Sequence, residues 1–133
     1  MRRGFVRTSC LLAAAVLAVT GCSSKLTHIM EPGDFAGPSM RMDSTSVVHV
    51  ATFTTPSGGW GVRLDHTEED VGHTNAFVTL TRPDPDQMVT QALVDQSVSL
   101  NVALDATVHV YARIVEPGSE AAEATTRRYR RVR

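Results

Sequence analysis

The groups in this 133-residue chain able to act as nucleophiles, ligands or proton carriers are two cysteines, five histidines and fourteen carboxylates. Cys22 is the most informative, because of what precedes it. A basic start (Arg2, Arg3, Arg7) leads into an apolar run from Cys10 to Val19 and then the small residues Thr20 and Gly21. That charged, apolar, small order is the order of an export signal, and the run is too short to span a bilayer as a helix. Elsewhere the chemistry thins out. No Gly-x-Ser-x-Gly, His-Glu-x-x-His or phosphate-loop motif occurs, and no Ser/His/Asp or Cys/His set can be assembled. His66-Thr-Glu68-Glu69-Asp70-Val-Gly-His73 gathers carboxylates and two imidazoles in one loop, a composition that can hold a divalent cation. Its spacing fits no known loop geometry, so a solvated acidic hairpin tip is the simpler reading, with no metal and no catalytic residue. His28, His49 and His109 are scattered over candidate strands.

The residues Val19-Thr20-Gly21-Cys22 resemble the lipobox of bacterial lipoproteins: an aliphatic residue, a small residue, Gly, then Cys. The resemblance implies cleavage before Cys22, a lipid on its thiol and often a further acyl chain on the new amino group. Two acyl chains anchor a protein stably, each buried methylene contributing roughly 0.8 kcal/mol. The expected location is therefore the bacterial cell envelope, in the outer membrane where the source has two, since Ser23 and Ser24 are not the Asp that often retains lipoproteins in an inner one. Arg2-Arg3-Gly4-Phe5-Val6-Arg7 also resembles the twin-arginine export motif, although basic, aromatic-containing starts occur in general signals too. Beyond that covalent lipid no cofactor is expected.

Without residues 1–21 the chain has 112 residues, room for one domain, and Cys22 is its remaining cysteine. With no disulfide available, stability must come from a packed core. The net charge of −1 hides an asymmetry. From Ser23 to Thr126 five Lys/Arg face all fourteen Asp/Glu, a balance of −9, whereas the last seven residues carry five arginines. So acidic a body argues against nucleic acid as a partner, and nothing points to a small-molecule substrate.

Residues 22–46 read as a tether, Ser-rich at first and broken by Pro32-Gly33 and Gly37-Pro38, with one short strand conceivable over Leu26–Met30. From Val47 the pattern becomes alternation of period two. Val98, Leu100, Val102 and Leu104 form one apolar row; Val108, Val110, Ala112 and Ile114 form the next, with Asp105-Ala106 as a hairpin between them. Trp60, Val62 and Leu64, then Ala76, Val78 and Leu80, make two more, and Val47–Phe53 and Met88–Val94 complete the set. Six short strands, or seven with the tether strand, predict an all-β, immunoglobulin-like antiparallel sandwich over 47–116. The Cys-Trp-Cys core of true immunoglobulin domains is absent. Residues 117–133 read as a disordered basic tail, and a fragment of about 40–118 is expected to fold by itself.

Thr55-Pro56-Ser57-Gly58-Gly59-Trp60, followed by Met88-Val89-Thr90-Gln91-Ala92-Leu93, resembles the C-terminal domain of PrcB, the small lipoprotein of a bacterial surface-protease complex. That family pairs a Pro-x-x-Gly-Tyr turn with a later Val-Thr-Gln-Ala stretch; here Trp60 stands for the Tyr. The likeness covers roughly residues 52–104 and implies an accessory lipoprotein that contacts or stabilises a protein partner, not an enzyme. The same hexapeptide resembles, more loosely, the Asn-Pro-Thr-Thr-Gly-Tyr loop of chagasin-type protease inhibitors. Thr55 replaces the Asn, and Arg82-Pro83-Asp84 lacks the Trp of their second loop.

Read without either family, Pro56 presets a turn, Gly58 and Gly59 permit positive φ, and Trp60 opens a strand. Trp60 then either plugs one end of the core or belongs to an exposed binding loop made of Pro56, Ser57, Gly58, Gly59 and Trp60. Arg127, Arg128, Arg130, Arg131 and Arg133 are either a solvated end or a contact with an anionic surface. Two functions follow: a lipid-anchored binding or accessory module with an unidentified envelope protein as partner, or a structural envelope lipoprotein held by its Arg tail. Protease inhibition of the chagasin kind is a third reading.

Overall fold

The computed structural model describes residues 29–43, 47–119 and 128–133, and every regular element among them is a β-strand. The strands are β1 (Ile29–Asp34), β2 (Ser39–Asp43), β3 (Val48–Thr55), β4 (Gly61–Asp70), β5 (His73–Thr81), β6 (Val94–Ala103), β7 (Val108–Val115) and β8 (Arg128–Arg131). They form two sheets, a five-stranded one in the order β1-β8-β7-β5-β4 and a three-stranded one in the order β2-β3-β6. The central strands β3, β5 and β7 are rich in Val, Thr and aromatic residues, as a pleated, half-buried surface favours. The β4–β5 hairpin closes over Val71-Gly72, where Gly72 sits at φ +79°. A side chain there would meet the Cβ–carbonyl crowding that disfavours left-handed backbone.

The core lies between the sheets. Ala51 and Phe53 of β3 and Leu100 and Val102 of β6 face Ala76, Val78 and Leu80 of β5 and Val110 and Ala112 of β7. Each set occupies alternate positions, so the period-two rows of the sequence are the inner faces. The all-β sandwich expected from those rows is what forms.

Its wiring differs from the expected one in five respects. Eight strands form where six or seven are expected, and two pairings, β5 with β7 and β1 with β8, are parallel and not antiparallel. The rows at 98–104 and 108–114 do not make a hairpin: β6 and β7 belong to different sheets. Both rows are apolar on one side, and alternation records which side is buried, not whether the partner lies beside the strand or across the core. The residues between them cross from one sheet to the other through a turn in which the Ala106 amide donates to the Ala103 carbonyl. Met88–Val94 is not a strand; residues 82–93 are irregular and β6 begins at Val94. Finally, β1 and β2 lie in the expected tether and β8 in the expected disordered tail. The irregular register of β1, from Met30 opposite Tyr129 to Asp34 opposite Arg131, brackets the Pro32-Gly33 breakers that hid the strand. Cys22, the lipobox, the export signal and Arg127 lie outside the described residues.

Candidate functional site

One end of the sandwich collects most of the irregular chain. Thr55 pairs with Val94, Gly61 with Thr81 and Thr81 with Val115, so the 56–60 and 82–93 connections and residues 116–119 all emerge there. β1 and β8 start at the same end, because Ile29 is opposite Arg128 and Ala112 is opposite Arg130, which sets Arg128 level with Ile114.

The two connections pack on each other. The Gly58 amide donates to the Thr90 carbonyl at 2.8 Å. Gly59, at φ +80°, has the Val89 side chain 2.7 Å from where a Cβ would stand and Pro83 at 3.0 Å. The single Thr55 hydroxyl proton is shared between the Val94 carbonyl at 2.8 Å and the Ser57 carbonyl at 3.1 Å, holding the loop entry. Trp60 is half-buried and packs against the core cluster. Of the expected binding loop, then, Trp60 serves the core, Gly58 and Gly59 back the second connection, and Pro56 is exposed. At this end of the sandwich apolar exposure lies instead on the 82–93 segment, where Met88 is 100% and Leu93 76% exposed. Asp84 and Asp86 stand near Met88 in sequence, and the Asp86 amide donates to the Asp84 carboxylate. Arg82 is tied to Glu116 at 3.4 Å and its amide to the Val115 carbonyl.

Gly59→Ala should lower stability by about 1–2 kcal/mol for the left-handed backbone alone, with a further cost for displacing Val89. The expected result is a lower thermal midpoint and faster proteolytic nicking within 82–93; an unchanged midpoint would mean the two connections are not coupled.

The outer face of the five-stranded sheet holds a polar cluster that the sequence reading did not single out. Asp65 is the extra residue of a bulge in β4, between the Leu64–Val78 and His66–Phe77 pairs. Its carboxylate accepts hydrogen bonds from the Tyr129 hydroxyl at 2.8 Å, from the Thr79 hydroxyl, and from Arg63 Nε at 3.0 Å. Arg113 Nε donates to Thr79 Oγ1 at 2.8 Å and lies 3.9 Å from the same carboxylate, with its guanidinium 5.1 Å from the Tyr129 ring centre. Asp65 and Arg113 are both nearly buried, and Tyr129 is fully so. Burial, and then the bond to Asp65, pushes the Tyr129 hydroxyl up to about 12. Phe77 stacks on Tyr111 and meets Tyr129 edge-on. The cluster joins β4, β5, β7 and β8 and is an architectural lock.

At the opposite end lies the acidic tip. His73 Nε2 is 3.7 Å from Asp70, His66 Nε2 is 4.0 Å from Glu68, and the His73 and His109 rings are 4.3 Å apart. Among the described residues no group of three or more His, Cys, Asp or Glu side chains is placed to hold a metal ion. His109 is held below the usual imidazole range by burial first, then by Arg131 and His73. A folded-state value below the unfolded one means that the unfolded chain takes up the proton first. Stability should therefore fall as the pH drops through the ordinary histidine range. Urea midpoints of the wild type and His109→Gln, compared on either side of that range, should show a smaller acid loss in the variant.

The tail arginines are largely engaged within the domain. Arg128 Nη1 and Arg130 Nε reach the two carboxylate oxygens of Glu31 at 3.1 and 3.4 Å, and Arg133 Nε reaches Asp34 at 2.9 Å. Arg131 lies near His109. These contacts clamp β8 to β1, so the basic residues are strand-forming as well as charged. On the three-stranded sheet, Thr54 first and Arg41 second hold the Asp95 carboxyl below its usual range.

The region containing both packed connections has a recognised counterpart. Residues 46–95 match the PrcB C-terminal family. The matched stretch covers under half of the chain: β3, β4 and β5, the Pro56–Trp60 turn and the whole 82–93 connection. No curated protein and no solved structure gave a match. The PrcB-like Pro-x-x-Gly-aromatic turn and Val-Thr-Gln-Ala stretch are thus the two segments that pack face to face through Gly58, Gly59, Val89 and Thr90. Their pairing has a physical reason: glycine on one side makes room for the other. The sequence shows the two motifs and their order but no local signal of the contact. The Asp65 cluster had no comparable motif.

Proposed function

We propose that this chain is a lipid-anchored accessory protein of the bacterial cell envelope that binds or stabilises a protein partner, as a component of a protease complex. The observation that carries the reading is the match of residues 46–95 to the PrcB C-terminal family. The lipobox at Cys22 supports the anchor. The sandwich also suits a scaffold: its buried Asp65 cluster is spent on joining strands, and its connections are pinned to one another. Chagasin-like inhibition fits less well, since a loop that must enter a protease cleft is here backed against the 82–93 connection at Gly58 and Gly59 and packs Trp60 on the core.

The test is chemical cross-linking in intact cells, followed by affinity isolation and mass spectrometry, with the wild type and Cys22→Ser in parallel. The wild type should bring down one envelope protease or its chaperone in near-stoichiometric amount and should incorporate labelled fatty acid. Cys22→Ser should lose the label and leave the membrane fraction. Isolation of the intact protein alone after cross-linking would refute the accessory role; an unlabelled wild type would refute the anchor.

A further inference from the structure

Three features of the molecule lack a role in the account above. The His73–His109 pair has too few further ligands for a metal. A shallow open cleft of about 260 Å³ beside Glu31, Phe35, Ile114, Arg128 and Arg130 is already filled electrostatically by Glu31. The third is the apolar pair on the 82–93 connection. Two large apolar side chains held in water on a segment tied down at Arg82, Val89 and Thr90 are not the product of a floppy loop.

Chain geometry says what lies near them. β1 starts at the same end of the sandwich as this connection, and seven Cα steps separate Ile29 from Cys22. Those steps span at most about 25 Å. In the sheet that contains β1, the level of Ile29 is that of Ile114, and from there to Val108 at the other end of β7 is roughly 20 Å, with the 70–73 turn beyond it. An anchor on Cys22 can therefore set the opposite end, with its acidic tip, on the membrane only with that link drawn out almost fully along the sheet. Any shorter path leaves the loop end, or the flank beside β1, facing the lipid. Met88, Leu93 and Pro56 select the loop end, since the flank surrounds the half-exposed Met30 with Glu31, Asp34, Arg128 and Arg130, and the opposite end, where Val47 and Val71 are exposed, carries Glu68, Glu69 and Asp70.

We propose that the loop end rests in the lipid interface, with Met88 and Leu93 inserted among the head groups and upper acyl chains as a second attachment beside Cys22. The inference rests on the lipid anchor proposed above. The carboxylates near the inserted pair, Asp84 and Asp86, fix the lipid class: they suit the ammonium groups of zwitterionic ethanolamine or choline lipids and are repelled by anionic ones. Tethering makes even weak insertion effective, because the local concentration of the loop at the surface is set by a short link. The proposal also gives the pinning of 82–93 by 56–60 a purpose, which is to hold two anchors at a fixed height. Any protein partner must then dock on the sheet faces or on the far end.

Trp60, the sole tryptophan, sits at this end and reports on it. The chain from Cys22 onward contains every described strand, so it can be attached through its one thiol to a maleimide-bearing lipid in phosphatidylethanolamine/phosphatidylcholine vesicles. This arm does not depend on natural lipidation, which labelled fatty acid tests separately. Brominated acyl chains should quench Trp60 emission in the attached protein. Met88→Asp/Leu93→Asp should float with the vesicles as the wild type does and recover the emission seen without bromine. Because Trp60 is half-buried, Gln87→Cys in the naturally lipidated protein, carrying a polarity-sensitive fluorophore, supplies a second reading and should shift to the blue on vesicles. Adding phosphatidylglycerol should weaken both signals. Attached protein with neither quenching nor a blue shift would overturn the proposal and return Met88 and Leu93 to a protein partner.

Discussion

A chain ending at Ser119 will not hold the native sheet at room temperature, and its circular dichroism will lose the cooperative thermal transition of the full protein. β8 lies between β1 and β7, so its removal takes away one strand and detaches another, since β8 is the sheet neighbour of β1. Tyr129 is fully buried and touches Phe77. A buried tyrosine of about 150–250 Å² is worth up to roughly 4–6 kcal/mol at 25 cal/mol per Å². Native domains have on the order of 5–15 kcal/mol in total, so the loss consumes most of the margin. Tyr129→Ala separates side chain from strand and should cost about 3–5 kcal/mol. Tyr129→Phe, which forfeits the bond to Asp65, should cost about 1–3 kcal/mol. A truncated chain with an unchanged melting transition would show that β8 is an ornament. Loss of the transition would decide equally against a self-sufficient 40–118 fragment, which lacks both β1 and β8.

The strands at the two ends of the described chain have no local signature. Arg127-Arg128-Tyr129-Arg130-Arg131-Val132-Arg133 has the composition of a solvated end, and Pro32-Gly33 that of a linker. Each becomes ordered through the other: Glu31 and Asp34 answer Arg128, Arg130 and Arg133, about a hundred residues away in the chain. Pairing between the two ends leaves no local periodicity. Inner faces were legible because burial on one side imposes period two, and the β4–β5 hairpin was legible because its strands are neighbours in sequence. The choice between hairpin and cross-over at 104–107 was not, since both bury the same residues. The two loops stood in the sequence as a pair of motifs, and nothing there said that they touch. The Asp65 cluster stayed hidden because Arg63, Asp65, Thr79 and Arg113 occupy the positions that alternation assigns to solvent. Phe77 and Tyr111, apolar rings in those same rows, were the sign that this face is covered as well.

That covered face makes Asp65 the most sensitive single position outside the apolar core. Asp65→Ala removes the acceptor of Tyr129, Thr79 and Arg63 and the counter-charge of Arg113 in one step. Removing one partner from a buried ion pair typically costs about 3–5 kcal/mol, because the remaining charge stays desolvated. Asp65→Asn retains the shape and one acceptor oxygen and should cost less, which separates the charge from the packing. Tyrosinate absorbance gives an independent reading. Tyr129 stands at about 12 chiefly through burial and secondly through Asp65, so in Asp65→Asn its titration should move down yet stay above the ordinary value of 10.0. The raised value also fixes a direction for alkaline stability. The fold prefers protonated Tyr129, so that contribution is complete below the unfolded-state value and drains away as pH rises through the folded one. Tyr129→Phe should lack this alkaline loss while keeping the acid loss assigned to His109. If Asp65→Asn left both the urea midpoint and the tyrosine titration where they are in the wild type, the cluster would be a surface decoration and the lock between β4 and β8 would have to lie elsewhere.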